Sequence, residues 1–338
     1  MRSWKIAALC ALAAAAGAQS GSTVAEIVTA VTGALQTGQP DAAIARSLHK
    51  LRLTERLEDR IVEELQSAGA GPKTLAELQR LHDATLRLAA PDPAPAFHHG
   101  PPPSATEQRG LIAAARAMAL EYAQSLPDFI CQETVRRYES NGGAWDLKDT
   151  LELRLTYFDR REDYRLIARN GRATSLSYRE TGGAVTEGEF GTTLLSIFAP
   201  DSETDFHWDH WTTLRHSEAH VFRFRIALDR STYRIAVGRS VRGPVEEVIT
   251  GQRGLVYVDA ASGRIVRVIA ESEAIPPDFP VRSSSRTVDY GFARVGDRTY
   301  LLPLRAEARM DAGALQTRNV VEFHNYRKFE GQSTITFH

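Results

Sequence analysis

Residues 254–304 read GLVYVDAASGRIVRVIAESEAIPPDFPVRSSSRTVDYGFARVGDRTYLLPL. Its arms alternate apolar and polar residues, and each pair of arms meets at a short turn containing a glycine, Gly263 in the first and Gly296 in the second. Alternation at period two sends successive side chains to opposite sides of a strand, which is the signature of an antiparallel sheet with one apolar and one wet face. The stretch predicts two β-hairpins in succession.

The same period extends upstream and downstream. Phe129, Cys131, Glu133 and Val135 alternate with Ile130, Gln132, Thr134 and Arg136, and Leu151, Leu153, Leu155 and Tyr157 alternate with Glu152, Arg154 and Thr156. Asn170-Gly171 is the strongest short hairpin signal in the chain, since both residues tolerate positive φ. Further strands are predicted over 221–226, 233–237, 255–258, 265–269, 287–294, 299–305 and 319–326. About ten strands joined by hairpins make one large, curved antiparallel sheet or partial barrel. A domain of roughly 210 residues buries about 70% of its unfolded surface, enough to stand as one unit.

Two helices are predicted to serve this sheet. Ser104 and Glu107 form a capping box that opens a helix whose Leu111, Ile112, Ala115, Met118, Ala119 and Tyr122 share one face, and Pro127 ends it. Gly191 to Ala199 carries Leu194, Leu195, Ile197 and Phe198 and is closed by Pro200, a short apolar helix suited to sealing the mouth of a barrel or filling its core. The fold class is therefore α+β: a small N-terminal helical domain, a Pro-rich linker, and a large curved antiparallel half-barrel with a leading amphipathic helix and a short plugging helix. Its predicted divisions are a signal peptide over 1–18, a helical domain over 19–90, a linker over 91–105 and the half-barrel over 106–338.

Arg2 and Lys5 precede the apolar run Ile6 to Ala16, and Ala16-Gly17-Ala18 supplies small residues for a signal peptidase, so cleavage is expected near Ala18. The run is about a dozen residues where a membrane span needs roughly 20. The expected compartment is periplasmic or secreted, with no transmembrane span in the mature chain. In the helical domain, Thr54 is placed to cap a helix carrying Leu57, Ile61 and Leu65, stopped by Gly69 and Gly71, and Thr74 with Glu77 to open the next. Gly71-Pro72-Lys73-Thr74 resembles a phosphate loop only superficially: Pro72 stands where the motif needs a glycine amide, and no strand precedes it. Six prolines between 91 and 103 make the linker extended and semi-rigid, with His98 and His99 inside it.

The chain of 338 residues carries 41 basic and 42 acidic side chains, and loss of Arg2 and Lys5 with the signal leaves 39 against 42. That balance gives no basic excess for a nucleic-acid partner. Beyond the signal Cys131 is the single cysteine, so no intramolecular disulfide staples the mature chain, and on an alternating strand Cys131 reads as a small buried apolar residue. Phe206-His207-Trp208-Asp209-His210-Trp211, followed by His216 and His220, raises a metal-dependent hydrolase as an alternative. Strand geometry opposes it, because residues four apart on a strand stand about 13 Å from each other. No nucleophile elbow, dinucleotide glycine fingerprint or Cys-x-x-Cys is present. Ser283-Ser284-Ser285 reads as loop, and the paired acids Glu246-Glu247 point to opposite strand faces.

In helix 106–124, the insert Leu194-Leu195-Ser196-Ile197-Phe198-Ala199-Pro200, the hairpin Val256 to Arg267, and Asp289-Tyr290-Gly291 leading to Tyr300-Leu301-Leu302-Pro303, the β-domain resembles the half-barrel of the LolA, LolB and RseB group of periplasmic lipoprotein-handling proteins. Tyr122-Ala123-Gln124-Ser125-Leu126-Pro127-Asp128-Phe129-Ile130-Cys131-Gln132-Glu133-Thr134 and the ending Asn319 to Phe329 are similar to a family of uncharacterised secreted bacterial proteins. The first resemblance implies a non-enzymatic, cofactor-free binding protein for a lipid, acyl chain or lipoprotein. The residues expected to line its cavity are Leu194, Leu195, Phe198, Trp208, Trp211, Phe222 and Phe224. The helical domain is then a module for contacting another envelope protein, and a structural adaptor with a filled core is the first alternative.

Overall fold

The computed structural model of the chain describes residues 21–92, 100–141, 145–182, 190–215, 217–238 and 245–329. The predicted signal peptide over 1–18, His98, His99 and His216 lie outside the described residues. The chain divides into two compact units. The first runs to Pro102 and takes in the hairpin tip His210–His220; the second comprises Pro103–Asp209 and the chain from Val221 onward.

The first unit holds helices α1 (Val24–Gln36), α2 (Asp41–His49), α3 (Asp59–Ser67) and α4 (Pro72–Thr85). Ile27, Val31, Ile44, Leu48, Leu57, Ile61, Leu65, Leu78 and Leu81 are buried together in one apolar cluster, the i, i+3, i+4 stripes of each helix turned inward. The caps differ from the sequence expectation. α3 begins at Asp59 with Glu58 in the cap position, so Thr54 lies outside it, and α4 begins at Pro72, two residues before Thr74. The orphan amides at the head of α4 are instead taken across the fold by Asp41, whose carboxylate accepts from Lys73 N and Thr74 N at 2.9 Å each and from Thr74 Oγ1 at 2.6 Å. These bonds hold the Asp41 carboxyl below its usual range, the Thr74 hydroxyl contributing most. Long-range contacts outcompete a local capping box here, because a carboxylate on α2 meets the same amides without a turn of its own. Glu64 on α3 reaches the hairpin tip, accepting from Thr212 Oγ1 at 3.0 Å and Thr213 N at 2.9 Å, and Ser67 Oγ donates to Thr213 O at 3.0 Å.

The second unit is an open α+β half-barrel. Helix α5 (Ala105–Ser125) opens on the expected capping box of Ser104 and Glu107 and stops before Pro127. Strands β1 (Phe129–Ser140), β2 (Asp146–Phe158), β3 (Arg161–Arg169) and β4 (Arg172–Ala173) form one meander. After the short helix α6 (Thr192–Phe198) come the hairpin β5 (Asp205–Leu214) and β6 (Ser217–Ile226), then β7 (Arg234–Gly238) and β8 (Val245–Ile249), and finally β9 (Gly251–Asp259), β10 (Ile265–Glu273), β11 (Ser283–Val295), β12 (Arg298–Ala312) and β13 (Leu315–Lys328). The large sheet runs β4-β3-β2-β1-β13-β12-β11-β10-β9-β6-β5. Antiparallel pairing of β1 with β13, Val135 opposite Val321 and Arg137 opposite Asn319, joins the first meander to the last.

The opening stretch forms the two predicted hairpins, which pair with each other through β10 and β11. Asn170 and Gly171 both take positive φ, 52° and 71°, as a primed two-residue turn requires. Two readings are corrected. The strand predicted over 233–237 stays out of the large sheet and pairs only with β8 in a two-stranded ribbon. Ser283-Ser284-Ser285 is not loop but the first turn-free segment of β11, where Ser284 N donates to Ser272 Oγ at 3.0 Å. Local periodicity marks a strand; it carries no information on which sheet takes it.

Candidate functional site

The inner face of the half-barrel is the side on which α5 and α6 lie. Along β1 and β2 the residues Cys131, Val135, Leu151, Leu153 and Leu155 turn inward with 0–1% exposure, and they belong to one cluster with Ala115, Ala119 and Tyr122 of α5 and Leu194, Ile197 and Phe198 of α6. At one end the rings of Phe129, Tyr157, Phe190, Phe323 and Tyr326 pack with centroids 5.1–6.5 Å apart. At the other, Phe198 stacks on Phe206 at 5.2 Å and Phe206 tilts toward Phe224 at 6.4 Å.

The seven expected lining residues separate. Leu194, Phe198, Phe222 and Phe224 are buried in this inner cluster, and Trp208 packs against it half-buried. Leu195 lies on the exposed side of α6. Trp211 belongs to the first unit, where its indole N–H donates to Pro101 O at 3.1 Å and its ring lies 4.0 Å from that of His220. Three of the residues that shape the interior most are not among the seven expected lining residues. Phe190 sits between β3 and α6 with no periodic neighbours to mark it. Tyr290, on β11, meets Tyr122 edge-on at 6.2 Å. Tyr122 lies on the apolar face of α5, and its hydroxyl is buried with no hydrogen-bond partner among the described residues.

Burial pushes the Tyr122 hydroxyl pKa well up, with Tyr290 adding to it, so the group stays a neutral donor. Burial likewise pushes the Cys131 thiol far above its ordinary value; a thiol kept neutral in this way is a poor nucleophile. One charged cluster is built into the same face. Arg137 donates from Nε and Nη2 to the two oxygens of Asp149 at 2.6 Å each, Arg169 Nε donates to Asp149 Oδ2 at 2.9 Å, and Arg137 Nη1 also holds Thr181 Oγ1 at 3.2 Å and the Gly182 carbonyl. Burial raises the Asp149 carboxyl, but the two guanidiniums outweigh it and hold the group below the ordinary carboxylate range. The bidentate geometry ties the segment after β4 to β1 and β2.

Of the four histidines of the predicted cluster, His207, His210 and His220 are among the described residues. His207 is exposed and lies 2.9 Å from Asp205 Oδ2, whereas His210 and His220 belong to the first unit. Among the described residues no group of three or more His, Cys, Asp or Glu side chains stands close enough to hold a metal ion. No helix among the described residues is long and apolar enough to cross a membrane.

No family model and no curated protein matches the chain. Among solved structures, it is similar to a LolA superfamily protein from Nitrosomonas europaea, at 10% identity over 66% of this chain and 94% of that one, with a TM-score of 0.31. It is also similar to an outer membrane lipoprotein-sorting protein domain from Vibrio parahaemolyticus, at 14% identity over 67% of this chain and 94% of that one, TM-score 0.32. A DUF1329 family protein from Desulfovibrio piger is similar at 10% identity over 66% of this chain and 95% of that one, TM-score 0.32.

Proposed function

We propose that the chain is a non-enzymatic binding protein of the cell envelope whose half-barrel takes an acyl chain, a lipid or a lipid-modified protein against its inner face. One observation supports this reading above the rest. Helix α5 is 21 residues long, and among its described side chains Ala115, Ala119 and Tyr122 are buried while Leu111, Ile112 and Met118 stay half-buried. Two of those three anchors are methyl groups, and the third carries an unpartnered hydroxyl into the interior. A cover whose larger aliphatic side chains stay half-buried is easier to lift than a fully packed core helix, since each buried methylene contributes about 0.8 kcal/mol. Lifting it uncovers a broad apolar sheet, the kind of surface that takes a hydrophobic ligand. On this reading Leu194, Phe198, Phe222 and Phe224 contact the chain, and the helical unit is a module for docking another envelope protein.

Native mass spectrometry and solvent extraction of the purified full chain test the reading, together with displacement of a fluorescent fatty acid. Co-purifying lipid and saturable displacement are expected, with weaker displacement from Phe224→Ala. A chain that yields no lipid and takes up none overturns it. The packing of Phe129, Tyr157, Phe190, Phe323 and Tyr326 favours a second reading, an adaptor with a filled interior, and that chain would capture a protein partner on crosslinking while binding no lipid. Osmotic-shock fractionation with N-terminal sequencing tests the proposed export and cleavage near Ala18.

A further inference from the structure

The outer face of the sheet is laced with arginine and carboxylate pairs. Arg136 meets Glu322 at 3.0 Å, Arg267 meets Asp289 at 2.6 Å, Arg253 meets Glu271 at 3.2 Å, and Glu307 is gripped by Arg305, Arg309 and Arg318 at 2.6–3.2 Å. At three arginines on β2, β3 and β13 this pattern breaks. Arg154 and Arg165 stand directly opposite each other on β2 and β3, and Arg327 stands opposite Ile130 on β1. All three are exposed, and none makes an ion pair or side-chain hydrogen bond among the described residues. Like charges placed directly across a sheet destabilise it, so this arrangement is not explained by folding.

A depression of about 330 Å³ lies at this spot, lined by Gln132, Thr134, Arg154, Ile167, His324 and Arg327 together with the carboxylate-bearing Glu133 and Glu152. Two β-bulges shape it. His324 and Arg327 are three residues apart and would face opposite sides of a regular strand; an irregularity in the β1–β13 register, with Asn325 at φ 57°, brings them opposite Gln132 and Ile130 on one face. A second register shift between Glu152 and Leu153 sets Ile167 out of the β2–β3 ladder. Gln132 Oε1 accepts from the Asn325 amide, which leaves the Gln132 NH2 free to point outward as a donor. Extra residues inserted on both sides of one depression re-aim side chains toward it, as bulges do beside binding sites.

We propose that this outer-face depression is an anion site for a phosphate-type group, held by Arg154 and Arg327 with Arg165 adjoining and with Gln132 and His324 as further hydrogen-bond donors. Guanidinium forks match the oxygens of a phosphate in a way an ammonium does not. Of the carboxylates nearby, Glu152 and Asp163 are exposed beside the three guanidiniums, whereas Glu133, which also borders the depression, is buried. The site is on the opposite side of the sheet from the proposed lipid surface and stands independently of it. Its ligand is a free phosphate or the phosphodiester of an anionic lipid headgroup.

Equilibrium titration of the full chain separates these sources. Inorganic phosphate is one probe, and vesicles of phosphatidylglycerol against phosphatidylcholine are the other, both at about 0.15 M salt so that diffuse charge attraction is screened. Saturable phosphate binding without vesicle binding assigns a free anion; binding to phosphatidylglycerol alone, relieved by added phosphate, assigns a headgroup. In either case the Arg154→Ala, Arg327→Ala double variant should lose at least tenfold in affinity, whereas Arg253→Ala should bind as the unaltered chain does. Because Arg154→Ala relieves the facing charges, its melting temperature should hold or rise, which a purely structural role for the arginine would reverse. Absence of binding to both probes, or equal binding by the double variant, overturns the proposal.

Discussion

Gly254 shows how much one missing atom decides. It faces inward between Phe224 and β10, and a Cβ there would run into the Ile269 carbonyl oxygen and come within 2.8 Å of Phe224 Cε1. The glycine thus lets an aromatic ring lie on the backbone. Gly254→Ala is expected to destabilise the chain by about 1–3 kcal/mol or more, as overpacking does, read from the urea unfolding midpoint. Asp149 is the electrostatic counterpart, its side chain fully buried between Arg137 and Arg169. Asp149→Asn leaves Arg137 buried and uncompensated, an expected loss of about 3–5 kcal/mol at neutral pH. A carboxyl whose folded pKa is depressed stabilises the fold above its unfolded value, about 3.9, and that contribution is lost as pH falls through the folded pKa. Unfolding curves of Asp149→Asn and the unaltered chain should therefore converge below about pH 4; a gap that stays constant down to pH 2 would contradict this origin.

At the scale of elements, α5 is the informative case. Its boundaries and its buried face follow from Ser104, Glu107, Pro127 and the spacing of Leu111, Ile112, Ala115, Met118, Ala119 and Tyr122, and the structure keeps all of them. What spacing could not convey is how far each of these side chains is covered, which depends on the sheet residues it meets. Removing the unpartnered hydroxyl in Tyr122→Phe should raise stability by about 1 kcal/mol in thermal unfolding, since a buried polar group without a partner costs about 1–3 kcal/mol. A fall in stability would mean that the hydroxyl is satisfied in solution. The helix caps of the first unit carry the complementary lesson. Thr74 and Glu77 satisfy a local capping rule, yet Asp41 from another helix supplies the cap, and no sequence window spans that distance.

For the whole molecule, the β1–β13 pairing is the decisive contact. It joins Phe129 to Lys328 across almost the entire half-barrel sequence, so loop closure must precede it and folding is expected to be slow for the size. Deleting β13 from Leu315 onward would leave β1 and β12 as two long, unpaired edges in the middle of the sheet. That truncation should abolish the cooperative unfolding transition of the sheet and drive aggregation, followed by calorimetry and light scattering. A truncated chain that still melted cooperatively would show that the two meanders are separately stable.

The residue order by itself determined that strands of period two dominate the chain after Phe129, that residues 254–304 form two hairpins, that Asn170-Gly171 turns tightly and that Ser104 starts a helix. Each of these is written in side chains within a few positions of one another, where backbone geometry and pattern are enough. Tertiary structure alone decided the pairing of β1 with β13, the exclusion of β7 from the large sheet, the capping of α4 by Asp41, and the separation of Trp211 and Leu195 from the interior. It also decided the convergence of Arg154, His324 and Arg327, which two register shifts bring to one face. These depend on contacts between residues distant in sequence, and period-two alternation is blind to both partner and register.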